Sequence, residues 1–324
     1  MISDTLPALI KSGVKGRGVS ILLQKKDGWS WKQITWKDFE SDVKSVCAFI
    51  LDAGITPGNK ILFESTASYD GMVSETAALM LGTIAISTAP SANSAAPALP
   101  EITAAFVKNR ETAQTLSARH PNIKKAVHYS AGQNGSPDSV VTDFRAVLKF
   151  GFLKKKKMTD ALEDTFSAVS PSFAAIEIYN GAAKPVSLTQ GGFMRMVVSA
   201  AEKAGAALEE SQTFCLLPRG DMFSRAAKFI PLCASARTAG AECGDDFLKD
   251  VAEVMPTVLF VDSESLKQVS SEAEKIGAPV FGGRLRHIFT DSEPPREVAD
   301  FYSKLGIRVS GLSLCAGGDA SGDR

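Results

Sequence analysis

The chain has 324 residues, of which 44% are hydrophobic and 22% charged, a balance that excludes collagen-like, disordered and low-complexity proteins. Thirty-six Lys and Arg offset 36 Asp and Glu, so no net field draws the chain to nucleic acid, and no nucleic-acid partner is expected. The length suffices for one large domain or two medium ones.

Five cysteines stand at 47, 215, 233, 243 and 315, an odd number without a CxxC pair. That argues against a disulfide framework or a zinc knuckle and fits a reducing cytoplasm, the expected location. Their expected role is that of small buried apolar side chains. His120, His128 and His287 are the only histidines and show no HxxxH or HExxH spacing, so no metal site is expected. The N-terminus lacks the basic and apolar regions of a signal peptide. The longest nearly uncharged apolar run, Thr76 to Ala89, is too short to span a bilayer as a helix.

In chain order, Gly13, Gly16 and Gly18 reverse the spacing of a dinucleotide fingerprint and read as a mobile loop. Strand-like runs Val19–Gln24 and Trp29–Trp36 flank Asp27-Gly28, a hairpin signal. Thr35, with Asp38 three residues on, reads as the cap of a helix whose apolar face is Phe39, Val43, Val46, Cys47, Ile50 and Leu51, with Gly54 at its end. Strand Lys60–Glu64, helix Asp70–Leu81 and strand Thr83–Ser87 continue as strand–helix–strand. A loop is expected at 90–100, then strand Ala104–Val107, helix Asn109–Arg119, strand Lys125–Tyr129 and a loop at 131–138.

Phe150 to Met158 contains Lys154, Lys155, Lys156 and Lys157 beside aromatics. It reads as a solvated connector, with contact to an anionic membrane surface as the alternative. Beyond it the spacing predicts helix Gly192–Gly205, strand Thr213–Leu217, helices Phe223–Ala234 and Asp246–Met255 and strand Val258–Val261. Helix Ser263–Ile276, strand Leu285–Thr290, helix Pro295–Leu305 and strand Arg308–Gly311 follow. The expectation is a layered α/β fold with mainly parallel central sheets, one domain over 1–324 with subregions near 1–165 and 166–324.

Five blocks in order resemble the adenylate-forming (AMP-binding) superfamily, nearest to the N-terminal part of its long-chain acyl-CoA synthetases. Ile34-Thr-Trp-Lys-Asp-Phe39 with Ala48–Lys60 resembles the family's opening L-x-x-x-G-[IV]-x-x-G-D-x-V. Ala168–Tyr179 resembles the strand that leads to its phosphate loop, and Phe214–Arg225 its F-L-P-L-A-H-x-x-E-R block. Glu253–Phe260 is similar to V-x-P-T-x-[LM], and Gly282–Arg286 through Val298–Ile307 to the segment before G-Y-G-x-T-E. The resemblance implies the acyl-CoA synthetase N-terminal fold, and the family's small C-terminal lid has no counterpart in this sequence. It also implies the family's reaction: a carboxylate attacks the α-phosphate of ATP with Mg²⁺, and coenzyme A then displaces AMP.

Residue by residue, the family's parts are changed. Its phosphate loop Y-T-S-G-T-T-G-x-P-K-G-V-x-x-T-H corresponds to Tyr179, Asn180, Gly181, Lys184 and Thr189, shorter by about four residues and without a hydroxyl between Tyr179 and Lys184. Leu312 stands where the family stacks an aromatic on adenine, and Ala316 where a Glu holds Mg²⁺. Asp291, Ser292 and Glu293 stand in the adenine turn without its glycines, and Asp221 at the gating His or aromatic. Phe223, Ala226, Ala227, Phe289 and Leu314, with Asp221, are the acyl-pocket candidates, and ordinary core is the competing reading.

The expectation is therefore a degenerate homologue of a long-chain fatty acid–CoA ligase, without ATP-dependent ligase activity and serving as an acyl-binding or interaction module. No cofactor is expected, although the family uses ATP, Mg²⁺ and coenzyme A; a fatty acyl ligand, a homodimer or a protein partner fits. The alternative is a residual acyl-adenylate-forming enzyme acting on a fatty acid.

Overall fold

The computed structural model describes residues 3–64, 68–88, 101–130, 136, 139–179, 185–216, 221–234, 236–240, 247–312 and 314. The chain opens with α1 (Leu6–Arg17) and the hairpin β1 (Ile21–Asp27) and β2 (Ser30–Thr35), turned at Asp27-Gly28 as predicted. The loop expected at Gly13–Gly18 is instead mostly helix α1. A Cβ at Gly13 would come within 2.1 Å of the Trp36 ring, so this glycine lets a helix lie against an indole. Close packing placed it there.

Helix α2 (Trp36–Asp52) begins at Thr35 with a capping box: the Thr35 hydroxyl accepts from the Asp38 N–H while Asp38 accepts from the Thr35 N–H. Such caps contribute about 1 kcal/mol. The chain then runs through β3 (Lys60–Phe63), α3 (Tyr69–Met80), β4 (Ile84–Thr88), β5 (Ala104–Val107), α4 (Arg110–Arg119), β6 (Lys125–His128) and β7 (Val141–Asp143). After α5 (Phe144–Lys154) and α6 (Thr159–Ala168) come β8 (Ala174–Tyr179) and β9 (Val186–Thr189). It continues through α7 (Gln190–Ala204), β10 (Gln212–Leu216), α8 (Met222–Cys233), β11 (Arg237–Gly240) and α9 (Phe247–Val254). The last elements are β12 (Val258–Val261), α10 (Ser263–Ile276), β13 (His287–Thr290), α11 (Arg296–Lys304) and β14 (Arg308–Gly311).

The connector expected at Phe150–Met158 is half helix. Phe144, Val147 and Gly151 recur at helical spacing and are buried, while Lys154 pairs with Asp52 and Lys155 donates to the Ser41 carbonyl, both on α2. The strand expected from Ala168 starts at Ala174, because α6 ends at Ala168 and a turn closed by the Phe173 N–H on the Ser170 carbonyl at 3.0 Å lies between. The loops expected at 90–100 and, save Ser136, at 131–138 lie outside the described residues.

Two seven-stranded sheets result, ordered β14-β13-β12-β10-β11-β1-β2 and β7-β6-β5-β3-β4-β8-β9. Every pairing is parallel except β1 with β2 and β8 with β9, the hairpins that close one edge of each sheet. Alternation along the strands sorts side chains between layers. Cys215 and Phe260 join the central core, while Phe214, Leu216, Leu259 and Val261 join a second core under α9, α10 and α11. Leu62, Ile86, Ala105 and Ala126 form a third beneath α4. Helices α3 and α8 lie between the sheets, which is why every residue of α3 but Asp70 is buried. The layered, mainly parallel α/β architecture is the one the sequence led us to expect.

Candidate active crevice

In open parallel sheets, ligands bind beyond the carboxyl ends of the strands. In the first sheet those ends lead to Asp221, Asp262, the turn Thr290–Glu293 and Leu312; in the second, β4 and β8 end at Thr88 and Tyr179. The two edges meet at the first turn of α8. There Arg225 Nε donates to Ser87 Oγ at 3.2 Å and Arg225 Nη1 to the Ala85 carbonyl at 3.3 Å.

Beneath this junction lies a buried charge cluster. Glu75 of α3 holds Arg225 at 2.7 Å and Lys228 at 2.6 Å, and no side chain of the three is more than 3% exposed. Spacing i, i+3 puts both cations on one side of α8. Burial alone would raise the Glu75 carboxyl, but Arg225 and Lys228 hold it below the ordinary value. Burial lowers the Arg225 guanidinium while Glu75 opposes that shift. Sequence reasoning missed this cluster, although two cations inside the apolar run Phe223–Leu232 were a signal.

Several predicted site residues start helices. The Thr189 hydroxyl accepts from the Gly192 N–H at 3.1 Å and caps α7, and Asp221 accepts from the Ser224 N–H at 2.8 Å and caps α8. Asp291 accepts from the Ser263 N–H at 2.8 Å and from the Ser263 hydroxyl, tying the turn after β13 to the start of α10. Ser292 Oγ lies 2.8 Å from Ser263 Oγ, and Glu293 is exposed. Tyr179 donates to Glu177 at 2.9 Å, and Glu177 also pairs with Lys60 at 2.9 Å. Burial and then Glu177 push the Tyr179 phenol up to about 12, so it remains a donor.

Phe223, Ala226, Ala227, Phe289 and Leu312 belong to the central core, with Leu314 packed against it. Phe289 stacks on Phe260 at 5.5 Å and on His287 at 4.2 Å between ring centres. His287 Nε2 lies 3.1 Å from Ser310 Oγ; burial and then Arg308 lower its pKa to about 4, leaving it neutral at pH 7. The Cys215 and Cys233 thiols are pushed up to about 12 by burial and stay protonated, so neither is a nucleophile. Asn180, Gly181, Lys184 and Ala316 lie outside the described residues.

Glu75 neutralises Arg225 and Lys228, and among the described residues no group of three His, Cys, Asp or Glu is placed to hold a metal. Leu312 is buried at the end of β14, where its N–H donates to the Thr290 carbonyl at 2.7 Å.

A family model described as "AMP-binding enzyme" matches residues 24–313. No curated protein matches the chain. Among solved structures, VinN in complex with L-aspartate is similar at 14% identity and a TM-score of 0.66, over 95% of this chain and 76% of that one. The A-PCP didomain of carboxylic acid reductase from Segniliparus rugosus, in complex with AMP, is similar at 13% identity and 0.68, over 95% of this chain and 51% of that one. The N-terminal domain of FACL13 from Mycobacterium tuberculosis is similar at 10% identity and 0.66, over 95% and 75%. These relatives are diverse, so the likeness extends across the superfamily rather than to long-chain acyl-CoA synthetases in particular. At such identities it is a likeness of fold.

Proposed function

The chain belongs to the AMP-binding enzyme family, and from that premise we propose that it activates a carboxylic acid as its adenylate in the crevice between the two sheets. The observation that carries this reading is the meeting of both carboxyl-terminal strand edges at the first turn of α8. Catalysis of this kind rests on positioning and on charge stabilisation at the phosphates. In this reading Asp221 and Asp291 fix the starts of α8 and α10, and the Glu75 cluster holds α3 and α8 together across the crevice floor. Arg225 and Lys228 are already committed to Glu75, and the resemblance to the family's phosphate loop makes Lys184 the candidate cation for the phosphates. When bound, ATP supplies the AMP group and pyrophosphate as leaving group.

A second reading, an acyl-binding module that does not adenylate, is favoured by Leu312 and Ala316 at the aromatic and carboxylate positions of the family and by the short Tyr179–Lys184 segment. Pyrophosphate release across a panel of fatty, aryl and amino acids separates the two. The proposed activity predicts release that needs ATP and one acid class and falls a hundredfold or more in Lys184→Ala. Thermal stabilisation by a fatty acid, with no pyrophosphate from any acid, would establish the second reading instead.

A further inference from the structure

The outer face of α5 has no part in the crevice. Its inner face, Phe144, Val147 and Gly151, is buried, and a Cβ at Gly151 would stand 1.8 Å from the Ser45 carbonyl of α2. With backbone touching backbone, α5 cannot roll. At 100° per residue, Arg145, Lys149, Phe152 and Leu153 point the other way. Phe152 is 54% and Leu153 67% exposed, and exposed Lys156 and Lys157 follow in the turn to α6. Lys155 Nζ lies 4.6 Å from the centre of the Phe152 ring. Beside them a cavity of about 210 Å³ is lined by Lys44, Lys155, Lys156, Thr159, Leu162 and Glu163.

Solubility alone calls for mixed charges without large apolar side chains. Here an aromatic and a leucine stand side by side among cations, in a chain whose net charge is zero. Of the nearby acids, Asp52 pairs with Lys154 at 2.9 Å and Glu163 with Lys44 at 3.0 Å, and exposed Asp160 in the first turn of α6 is outnumbered by the cations around it. We propose that this face docks on an anionic lipid bilayer, with Phe152 and Leu153 entering the boundary between headgroups and acyl chains. Arg145, Lys149, Lys156 and Lys157 meet the negative surface. Charge complementarity selects this occupant: cations and apolar side chains alternate on one rigid face, as an interface of headgroups over hydrocarbon requires.

Sedimentation of the full chain with vesicles tests it. The protein should bind phosphatidylcholine vesicles containing about 30 mol% phosphatidylserine, not pure phosphatidylcholine, and should be released by high salt. Lys156→Glu with Lys157→Glu should lower partition by tenfold or more, at about fivefold per lost cation. Phe152→Ser with Leu153→Ser should also weaken it, and neither pair should change the melting temperature, since these side chains are exposed. Absence of binding to the anionic vesicles, equal binding to neutral ones, or partition unchanged in both double variants would overturn the proposal.

Discussion

Glu75 is a buried carboxylate, held charged by two cations from a helix far along the chain. Such a cluster contributes little against an apolar replacement, yet breaking it is expensive because the remaining charges stay buried. Glu75→Gln should therefore cost about 3–5 kcal/mol in urea unfolding. The triple variant Glu75→Leu, Arg225→Met, Lys228→Leu should recover most of that loss. The acid dependence has a definite sign. A carboxyl held below its ordinary value stabilises the fold above the unfolded-state value of 4.5, and that stability is lost as pH falls through the folded value. The parent should show this acid-side slope and Glu75→Gln should lack most of it. A cost under about 1 kcal/mol for Glu75→Gln would mean that the cations find other partners.

Helix α5 shows how one element is fixed by a single small residue. The Gly151 contact with the Ser45 carbonyl leaves no room for a methyl group, and the obstacle is backbone rather than a movable side chain. Gly151→Ala should lose about 1–3 kcal/mol or more through overpacking, against the roughly 1 kcal/mol that alanine normally gains in a helix. Gly16 of α1 is the contrast, since nothing lies within 4 Å of a Cβ there. Gly16→Ala should be neutral or gain up to about 1 kcal/mol. Equal effects of the two changes in chemical denaturation would remove the packing argument. The same contrast explains what could be read in advance. Helix α2 announces itself through Thr35 and Asp38, β12 through an unbroken apolar run, and α10 through Leu266, Val269 and Ala273 at helical spacing. Helix α1 was hidden by its glycines and α5 by Gly151 and its lysines, because a packing glycine and a loop glycine look alike before the neighbouring helix is known.

At the scale of the whole molecule, α8 is the member that both sheets share: it packs on β10 and β11 of one and reaches β4 of the other through Arg225. The sequence showed α8 as a helix, because its apolar residues recur at helical spacing, whereas the strand ends around it are candidates from resemblance alone. It did not show which of Thr189, Asp221 and Asp291 cap helices, since Asp and Thr at a strand-to-helix junction serve caps and ligands with the same atoms. Nor did it distinguish a groove from a core at Ala226 and Ala227. An open acyl groove predicts that Ala227→Trp blocks a fatty acid while leaving the melting temperature nearly unchanged. In the structure Ala227 is 0% exposed and its carbonyl lies 3.9 Å from Cys215 Sγ of β10. An indole there has to displace α8 from the sheet, so we expect a loss of about 3 kcal/mol or more, beyond the usual range for smaller overpacking changes. Because α8 belongs to both halves of the fold, the loss should lower one cooperative transition, seen alike by circular dichroism and by tryptophan fluorescence. A near-parental melting temperature, with fatty-acid stabilisation present in the parent and absent in the variant, would show instead that ligand-sized space opens between α8 and the strands.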